Sequence, residues 1–394
     1  MTDEGVSDDV VESNETNRLR GASAAVVRKA VNDHEPLPGT CGFAGLLSGV
    51  SDGDGPTLVR DVLGREPMFV DREAADPTEP DAWGFDPTAV ADPRSVPAGT
   101  VLDRHGETAV WPLPTYAPAD PVDGQRAVDE AVRDVLSDMS GVRCERDRVA
   151  VAFSGGVDSG LVATGVPDAP CYVAGFEESH DVAAAREAAA AMDRELRVVE
   201  LTHDDLKRAI PAVADATRRR NVMDLNIAVP LYLAAEAATA AGIEQLVLGQ
   251  GADELFGGYS KVVEPAADSR VGADTVRGAR TETVRTLPAQ LERDELTLRA
   301  AGVEPVTPLL DDRIVEAALR LPDELLATSE ERKIALRRAA APYLPDSVAG
   351  ADKKAVQYGT YVSREIDRLA RQNGFKRRMD DHVGKYIDSL LDDV

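Results

Sequence analysis

The chain has 394 residues, which is long enough for two or three domains with large hydrophobic cores. Its 70 acidic residues outnumber its 44 basic residues and give a net charge of -26, so the sequence offers no basic stripe for nucleic-acid phosphates. No apolar run approaches the roughly 18 residues that a membrane span needs, and the acidic N-terminus is unlike a secretory signal, so we expect a cytoplasmic protein that binds neither membranes nor nucleic acid.

The basic residues are unevenly divided, with 36 Arg and only 8 Lys. An acidic, lysine-poor composition is typical of proteins from halophiles that accumulate salt, and the alternative is an acidic enzyme from a mesophile. The three cysteines, Cys41, Cys144 and Cys171, have no metal-ligand spacing and predict no disulfide framework. The five histidines are scattered, so the sequence predicts no histidine-based metal site.

The first part of the chain has the pattern of a polar tail followed by a small domain of short strands. Residues 1–20 lack hydrophobic periodicity and are predicted to be a disordered acidic tail. Residues 21–32 predict an amphipathic helix capped near Ser23. Short strands are predicted just after the turn at Pro36–Gly45 and at Glu66–Val70, Ala82–Phe85, Gly99–Leu102 and Thr108–Trp111. We assign residues 21–118 to a small α+β domain and 119–124 to a linker.

The second predicted domain, residues 125–373, alternates strands with helices. Its strands are predicted at 148–153, 171–176, 196–201 and 243–248, and its first helices at 124–138, 181–192, 204–217 and 227–241. This alternation predicts an α/β fold, a doubly wound parallel sheet with helices on both faces. Later helices are predicted at 286–301, 311–319, 330–341 and 361–371, and residues 374–394 are predicted to be a C-terminal tail that forms a frayed helix.

The segment Val149–Ser159 has the pattern of a buried strand, a small-residue turn and a helix start. Backbone N–H groups converge on an anion in such a turn, and Gly155 and Gly156 let the backbone approach a phosphate without a Cβ in the way. Asp158 would repel a phosphate unless a cation lay between them, so we interpret it as a Mg²⁺ ligand beside a pyrophosphate. The alternative is an ordinary strand-to-helix turn with an Asp in its first turn.

A second glycine-rich segment, Leu246–Tyr259, follows a predicted strand in the same way. Gly249 and Gly251 permit close backbone approach. Asp253 could share a hard cation with Asp158, because the carboxyl ends of parallel strands meet at one edge of a sheet. Alternatively, Asp253 and the glutamate beside it simply cap the following helix.

Three late lysines stand out in a chain that otherwise uses arginine. Lys333, Lys353 and Lys354 carry compact, flexible charges that suit a transferring phosphate or a leaving pyrophosphate. The alternative for each is a solvated surface side chain.

In this order and spacing, the two glycine-rich segments and the late lysines resemble the synthetase domain of the asparagine synthetases, over about residues 125–365. Further similar segments are Ile227–Tyr232, Gly302–Glu304, Pro308–Asp311 and Glu331–Arg337. The resemblance implies the fold of the PP-loop ATP pyrophosphatases, a parallel doubly wound sheet like that of the adenine nucleotide alpha hydrolases, with a helical C-terminal extension.

The resemblance also implies a reaction with ATP and Mg²⁺ as cofactors. ATP would adenylate the side-chain carboxylate of aspartate, and ammonia would attack the β-aspartyl-AMP to give asparagine and AMP. Lys353 matches the lysine that stabilises the pyrophosphate and the adenylation transition state, and Asp158 and Asp253 would hold the metal. The ATP and pyrophosphate site would comprise Phe153, Ser154, Gly155, Gly156, Val157, Asp158, Ser159, Gly175, Leu248, Gly249, Lys333 and Lys353.

Two departures from the family pattern affect the acceptor side. Gln250 stands at the catalytic position where the family has Glu, and an amide cannot act as a general base. The pattern Glu-x-Arg-x-Pro is replaced by residues 304–308, Glu-Pro-Val-Thr-Pro, so a guanidinium is missing. Either change could mean a different acceptor carboxylate.

The N-terminal domain resembles, in pieces, the class II (Ntn-type) glutaminase domain of the same family. Cys41–Gly45 is similar to the start that carries the nucleophilic cysteine, and Arg60–Pro67 and Ala82–Asp86 are similar to the distal strands. The glutamine-binding part between the first two of these pieces is missing. Cys41 is internal and would gain a free α-amino group only by cleavage after Thr40. We therefore expect a truncated, degenerate remnant.

The sequence thus favours an ATP- and Mg²⁺-dependent amide ligase that uses free ammonia or ammonia from a separate glutaminase. One alternative is the same adenylation chemistry on another carboxylate. An alternative from a different class is a nucleotide-binding regulatory protein without turnover. The oligomeric state is not predicted.

Overall fold

The computed structural model describes residues 18–49, 55–141, 148–351 and 361–392. The chain forms two compact units. The first takes Met1–Tyr116, Arg285–Glu292 and Asp311–Leu319, and the second takes Ala117–Val284, Arg293–Leu310 and Arg320–Val394. The two later segments of the first unit correct our domain assignment, which places all of 125–373 in the second domain.

Asp312 explains why one late segment joins the first unit. Its carboxylate accepts the N–H groups of Gly39 at 3.0 Å and Thr40 at 2.8 Å, and it pairs with Arg65 at 2.7 Å. Hydrophobic periodicity predicts that a helix forms but not which sheet it packs against. The sequence therefore predicts the helix at 311–319 but not the unit to which that helix belongs.

The first unit is a small α+β domain, as predicted. Its elements are β1 (Leu19–Arg20), α1 (Ala24–Asp33), β2 (Ala44–Leu47), β3 (Thr57–Arg60), β4 (Phe69–Asp71), β5 (Trp83–Gly84), β6 (Pro93–Ser95), β7 (Thr100–Asp103) and β8 (Gly106–Ala109). Strands β1-β2-β3-β7-β8 form one antiparallel sheet, and β5-β4-β6 form another. A buried core that includes Leu58, Met68 and Leu102 stabilises this unit.

The start of the first unit differs partly from the prediction. Ser23 caps α1 as expected, since its hydroxyl accepts the N–H of Val26 at 3.4 Å. Leu19 and Arg20 are not tail residues but pair with β2, whereas residues 1–17 of the predicted tail lie outside the described residues. Strands β3 and β6 were missed, and β6 begins with a proline, which argues against a strand when only the sequence is read.

The second unit contains a parallel sheet with its surrounding helices. Its strands are β9 (Val149–Ala152), β10 (Cys171–Gly175), β11 (Leu196–Glu200), β12 (Gln245–Val247) and β13 (Glu304–Val306). The remaining helices of the chain are α2 (Pro121–Gly141), α3 (Val157–Gly165), α4 (His180–Ala191), α5 (His203–Thr217), α6 (Val222–Ala240), α7 (Ala252–Phe256), α8 (Ser260–Val263), α9 (Val276–Val284), α10 (Leu287–Ala300), α11 (Asp312–Leu319), α12 (Asp323–Leu326), α13 (Ile334–Ala340), α14 (Asp346–Ala349), α15 (Tyr361–Gln372) and α16 (His382–Asp392). Of these, α11 belongs to the first unit and α10 is divided between the two. None of the helices in the described ranges is long and apolar enough to cross a membrane.

The five parallel strands lie in the order β11-β10-β9-β12-β13, which confirms the predicted α/β fold. From the central β9 the chain adds β10 and β11 on one side and then β12 and β13 on the other. The order therefore reverses between β9 and β12, and ligands of such sheets bind at the carboxyl ends of the strands at this switch point. Strand β13 was missed because its three residues, Glu-Pro-Val, show no alternation.

The predicted linker at 119–124 ends too late, because α2 already begins at Pro121. Proline suits the first position of a helix, since its ring fixes φ and its missing N–H needs no partner there. Asp120 completes the helix start, and its carboxylate accepts the N–H of Val122 at 2.9 Å.

The C-terminal tail contains a helix as predicted, but the helix is not frayed, because α16 packs into the core of the second unit. Tyr386 and Ile387 are 2% and 0% exposed and cluster with buried residues of α5, α6 and α15. With Leu390 and Leu391 they form one apolar stripe at helical spacing. The many charges of this segment hid that stripe.

Asp367 fastens α15 to the segment that follows it. Its carboxylate accepts hydrogen bonds from Arg371 at 3.1 Å, Arg377 at 2.8 Å and His382 at 2.7 Å. The hydrogen bond from Arg377, followed by that from His382, lowers the pKa of Asp367 to about 2.

We predict that Asp367→Asn destabilises the protein by about 1 kcal/mol near neutral pH, a value reduced by solvent screening of the pairs. Because the pKa of Asp367 is lower in the folded than in the unfolded state, this stability is complete above about pH 4 and is lost as pH falls toward about 2. Thermal unfolding followed by circular dichroism should show the two proteins converging in acid. A constant difference at every pH, or an equal loss in the exposed control Asp388→Asn on α16, would contradict this assignment.

Candidate active site

Two glycine-containing loops meet at the switch point between β9 and β12. Residues Ser154–Gly156 follow β9, and residues Leu248–Gly251 follow β12. A Cβ added to Gly249 would lie 2.8 Å from both the Cβ and the carbonyl carbon of Asp158. The structure therefore brings the two predicted segments into a contact that only glycine allows at position 249.

The loop after β9 has the geometry of an anion site. Gly155 has a φ of 76°, and a Cβ there would lie 2.6 Å from the carbonyl oxygen of Ala184. The hydroxyl of Ser159 accepts the N–H of Ser154 at 3.2 Å and donates to the carbonyl of Gly156 at 3.3 Å. Helix α3 begins directly after this turn, and the first N–H groups of a helix have no partner within it. These groups suit a phosphate.

Asp158 and Asp253 converge on the ammonium group of Lys333. Its Nζ lies 2.5 Å from Asp158 Oδ2 and 2.7 Å from Asp253 Oδ1, although Asp158 and Lys333 are 175 residues apart in the chain. Burial alone would lower the pKa of Lys333, but the two carboxylates outweigh it and raise this pKa above its ordinary value. The lysine therefore stays charged at all physiological pH values.

The backbone at Lys333 is strained. This residue precedes α13 with φ 56° and ψ 39°, a left-handed conformation that costs a non-glycine residue about 1–2 kcal/mol. Its neighbours fix it there: Arg332 donates to the carbonyl of Gly258 at 2.7 Å, and a Cβ on Gly258 would lie 2.4 Å from Lys333 Cε. Strain that the surroundings maintain is typical of functional sites.

The same two carboxylates suit a Mg²⁺ ion. Asp158 Oδ1 is buried and has no hydrogen-bond partner within the described part of the chain. Carboxylate oxygens are hard ligands of the kind that Mg²⁺ prefers, so Asp158 and Asp253 are the residues that would hold it. The sequence pointed to both carboxylates and to Lys333 as a phosphate ligand, but not to the position of Lys333 between the two aspartates.

Glu254, beside Asp253, has a different partner. Tyr259 donates its hydroxyl to Glu254 Oε1 at 2.5 Å, and the glutamate is only 4% exposed. Burial, and then the charge of Asp253, raises the pKa of Glu254 to about 7. We therefore assign Glu254 a structural role, in which its hydrogen bond with Tyr259 stabilises the loop.

The residues predicted to contact the nucleotide occupy the carboxyl ends of three neighbouring strands. Phe153 follows β9, Gly175 ends β10 and Leu248 follows β12. Phe153 and Leu248 are 2% and 4% exposed, so both residues belong to the core beneath the two loops. Lys353 and Lys354 lie outside the described residues.

Gln250 bonds to a residue that the sequence did not single out. Its Nε2 donates to Asp294 Oδ2 at 2.5 Å. Asp294 is 6% exposed and also accepts from Arg293, which in turn reaches Asp224 at 3.1 Å. The sequence does contain a signal for Asp294, which is the run of four charged residues Glu292–Glu295 in a predicted helix. Four successive residues point to all sides of a helix, so at least one of these charges must be buried.

Cys41 belongs to the first unit, where its Sγ lies 3.5 Å from Asp311 Oδ2. Cys41 is exposed overall, but desolvation of its sulfur by neighbouring atoms, and then the negative charge of Asp311, raises the pKa of Cys41 to about 12. The preceding residue, Thr40, is held by Asp312. A protonated thiol behind an internal peptide bond is a poor nucleophile, which favours the degenerate-domain interpretation.

We predict that Gly249→Ala weakens ATP binding at least about tenfold and costs about 1–3 kcal/mol of stability, because the added Cβ must displace the backbone at Asp158 and Ser159. Calorimetric titration with ATP and Mg²⁺ would measure the first effect and thermal unfolding the second. Gly124→Ala is the matched control, since its Cβ would lie 3.5 Å from the nearest side-chain atom, which is an ordinary contact distance. Unchanged ATP affinity in Gly249→Ala would disprove the close approach.

We predict that Cys41 alkylates slowly at about pH 8. A thiol with a pKa of about 12 instead of 9.0 has roughly a thousandfold less thiolate at that pH. Removing the nearby negative charge with Asp311→Asn should lower the pKa of Cys41 and speed its alkylation. Peptide mass spectrometry after iodoacetamide treatment would follow Cys41 itself, and alkylation as fast as that of a free thiol would refute the assigned pKa.

Comparison with known proteins agrees with this geometry. The asparagine synthase family model matches residues 131–275 and 272–389. The "Putative asparagine synthetase (glutamine-hydrolyzing) 1" of Methanocaldococcus jannaschii is 29% identical over 280 residues, which are 62% of this chain and 51% of that protein. Asparagine synthetase B (glutamine-hydrolyzing) of Escherichia coli is 27% identical over 237 residues, 54% of this chain and 41% of the relative.

The chain spans about half the length of these curated relatives. Among solved structures, an NH3-dependent NAD synthetase from Campylobacter jejuni is 12% identical and covers 69% of this chain and 94% of its own, but the TM-score of 0.29 supports no conclusion. The family model alone covers well over half of the chain. The chain therefore belongs to the asparagine synthase family.

Proposed function

We propose that this protein is an ATP-dependent amide ligase that converts aspartate into asparagine. The observation that carries the proposal is the cluster of Asp158, Asp253 and Lys333 at the switch point. It adjoins a loop whose N–H groups suit an anion, and this combination favours a reaction in which a pyrophosphate leaves. Family membership suggests aspartate as the acid and asparagine as the product.

In the first step, an oxygen of the aspartate side-chain carboxylate would attack the α-phosphorus of ATP. The bond from that phosphorus to the bridging oxygen would break, giving β-aspartyl-AMP and pyrophosphate. Main-chain N–H groups of Ser154–Ser159 would bind the departing pyrophosphate, and Lys333 would supply positive charge as the negative charge develops. A Mg²⁺ ion held by Asp158 and Asp253 would neutralise phosphate charge.

In the second step, ammonia would attack the acyl carbon, AMP would leave with the electrons of the C–O bond, and the nitrogen would lose a proton. We assign Lys353 to pyrophosphate and transition-state stabilisation. The ammonia would be free or come from a separate glutaminase, because the raised pKa of Cys41 argues against this cysteine as a glutaminase nucleophile. The acidic composition suggests a cytoplasm rich in salt.

A different acceptor carboxylate is the second candidate. Two sequence features favour it: Gln250 in place of an expected glutamate, and the absence of an arginine from residues 304–308. Both changes would alter the side of the site that receives the acid rather than the phosphate side.

Incubation in high KCl with ATP, Mg²⁺, aspartate and ammonia separates these possibilities. Equal amounts of asparagine, AMP and pyrophosphate support the proposal. Pyrophosphate that appears only with another carboxylic acid supports the second candidate. ATP binding without pyrophosphate from any acid tried would indicate a nucleotide-binding regulatory protein.

We predict that Asp158→Asn lowers pyrophosphate release at least about a hundredfold, because it removes a metal-binding charge and half of the pairing of Lys333. Asp215→Asn, an exposed carboxylate on α5, should change the rate less than about twofold. Continuous coupled detection of pyrophosphate would give both rates. Full activity of Asp158→Asn would remove the basis of the metal assignment.

A further inference from the structure

Arg337 lies in the first turn of α13 and reaches back to the start of that helix. Its Nε donates to the carbonyl of Arg332 at 2.9 Å. That carbonyl belongs to the peptide group that joins Arg332 to Lys333, and φ of Lys333 describes how this group is rotated about the N–Cα bond. Lys333 has the left-handed φ of 56°. The hydrogen bond therefore fixes the strained backbone from which the side chain of Lys333 extends.

The other two nitrogens of Arg337 hold the guanidinium itself in place. Nη1 donates to the carbonyl of Ala349 at 2.6 Å, and Nη2 donates to the carbonyl of Ala351 at 2.9 Å. Both carbonyls lie at the C-terminal end of α14, where the last carbonyls of a helix have no partner within it. A planar fork serves three carbonyls in fixed directions, whereas an ammonium on a flexible stem does not. The fork therefore sets the distance between the start of α13 and the end of α14.

Helix α14 in turn packs against the helix that carries Asp158. A Cβ added to Gly160 of α3 would lie 3.1 Å from Cγ1 of Val348, which is 1% exposed. Asp158 belongs to the first turn of the same α3. Arg337 therefore connects the segments that carry both members of the ion pair between Asp158 and Lys333.

The positive charge of Arg337 is only weakly neutralised by its partners. Its side chain is 13% exposed, and its three hydrogen bonds go to uncharged carbonyls. The carboxylate that pairs with it, that of Glu331, lies at 4.0 Å and is 52% exposed. Burial raises the pKa of Asp158, and the positive charges of Lys333 and, to a smaller extent, Arg337 oppose this rise. The charge of Arg337 therefore acts on the site that we assign to pyrophosphate.

We propose that Arg337 is a positioning residue, which holds Lys333 between the two carboxylates where its ammonium group can meet the departing pyrophosphate. This inference rests on the proposed function. Arg337 does not touch the pyrophosphate in this role, because its nitrogens are bonded to three carbonyls. It acts through the peptide group before Lys333, and its fork matters as well as its charge.

The test uses the full-length protein with Mg²⁺ and inorganic pyrophosphate as the probe. Calorimetric titration gives the Kd for pyrophosphate, and asparagine formation gives kcat and the KM for aspartate. The variants are Arg337→Lys, which keeps the charge but loses the fork, and Arg337→Gln, which loses the charge but keeps an amide donor. One control is Arg338→Lys, at the exposed next residue of α13. The other is Ala339→Gly, which loosens the same helix at a position that is 3% exposed.

We expect both variants of Arg337 to weaken pyrophosphate binding about tenfold and to lower kcat about tenfold, with the KM for aspartate within about twofold of the native value. Both controls should bind pyrophosphate within about twofold of the native protein, although Ala339→Gly should lower the melting temperature. Native affinity in Arg337→Lys would overturn the proposal, since charge alone would then suffice. An equal loss in Ala339→Gly would also overturn it, because any loosening of α13 would then have the same effect.

The outcome for the native protein separates this inference from the proposed function. If the native protein binds no pyrophosphate, the proposed function fails and the role of Arg337 fails with it. If the native protein binds pyrophosphate and both Arg337 variants bind it equally well, only the role of Arg337 fails. Should Arg337→Lys unfold, Arg337→Gln with a native melting temperature decides the question, and native affinity in that variant would overturn the proposal.

Discussion

The candidate site depends on one buried ammonium group held between two carboxylates. Asp158 and Asp253 come from the helix starts after β9 and β12, and without a cation they would repel each other at the switch point. The left-handed backbone of Lys333 costs roughly 1–2 kcal/mol, and its two ion pairs act against that strain. The ion pairs therefore explain why a lysine tolerates that conformation, and why a segment far along the chain returns to the sheet at this point.

The parts that could be predicted from the sequence are those with local causes. Strands β9, β10 and β12 are largely buried, so each one is a short, mostly apolar run. Gly155 and Gly249 lie where added Cβ atoms would meet backbone, and glycine followed by a helix start is visible in the sequence itself. The convergence of Asp158 and Asp253 also follows locally, because both come shortly after parallel strands that end at one edge.

The parts that could not be predicted depend on partners distant in the chain. The sequence near Lys333 does not indicate its position between the aspartates, and the charged run at 292–295 indicates buried charge but not that Asp294 pairs with Gln250. The same holds for α16, whose apolar stripe is interrupted by charges, and for α11, which Asp312 attaches to the first unit. Local composition describes whether a segment can form a helix, whereas packing decides where that helix lies.

The space at the cluster explains why its cation is a lysine in a chain that has 36 Arg and only 8 Lys. A guanidinium is a planar fork that suits a carboxylate approached from one side, whereas an ammonium is compact and can lie between two carboxylates. A Cβ on Gly258 would come within 2.4 Å of Lys333 Cε, which leaves little room for a larger group. The adjacent Arg332 does not contact the two carboxylates in this way, and its guanidinium donates to the carbonyl of Gly258 at 2.7 Å. An ammonium can also exchange a carboxylate for a phosphate oxygen without a change of plane, and this freedom suits the release of pyrophosphate that we propose for the site.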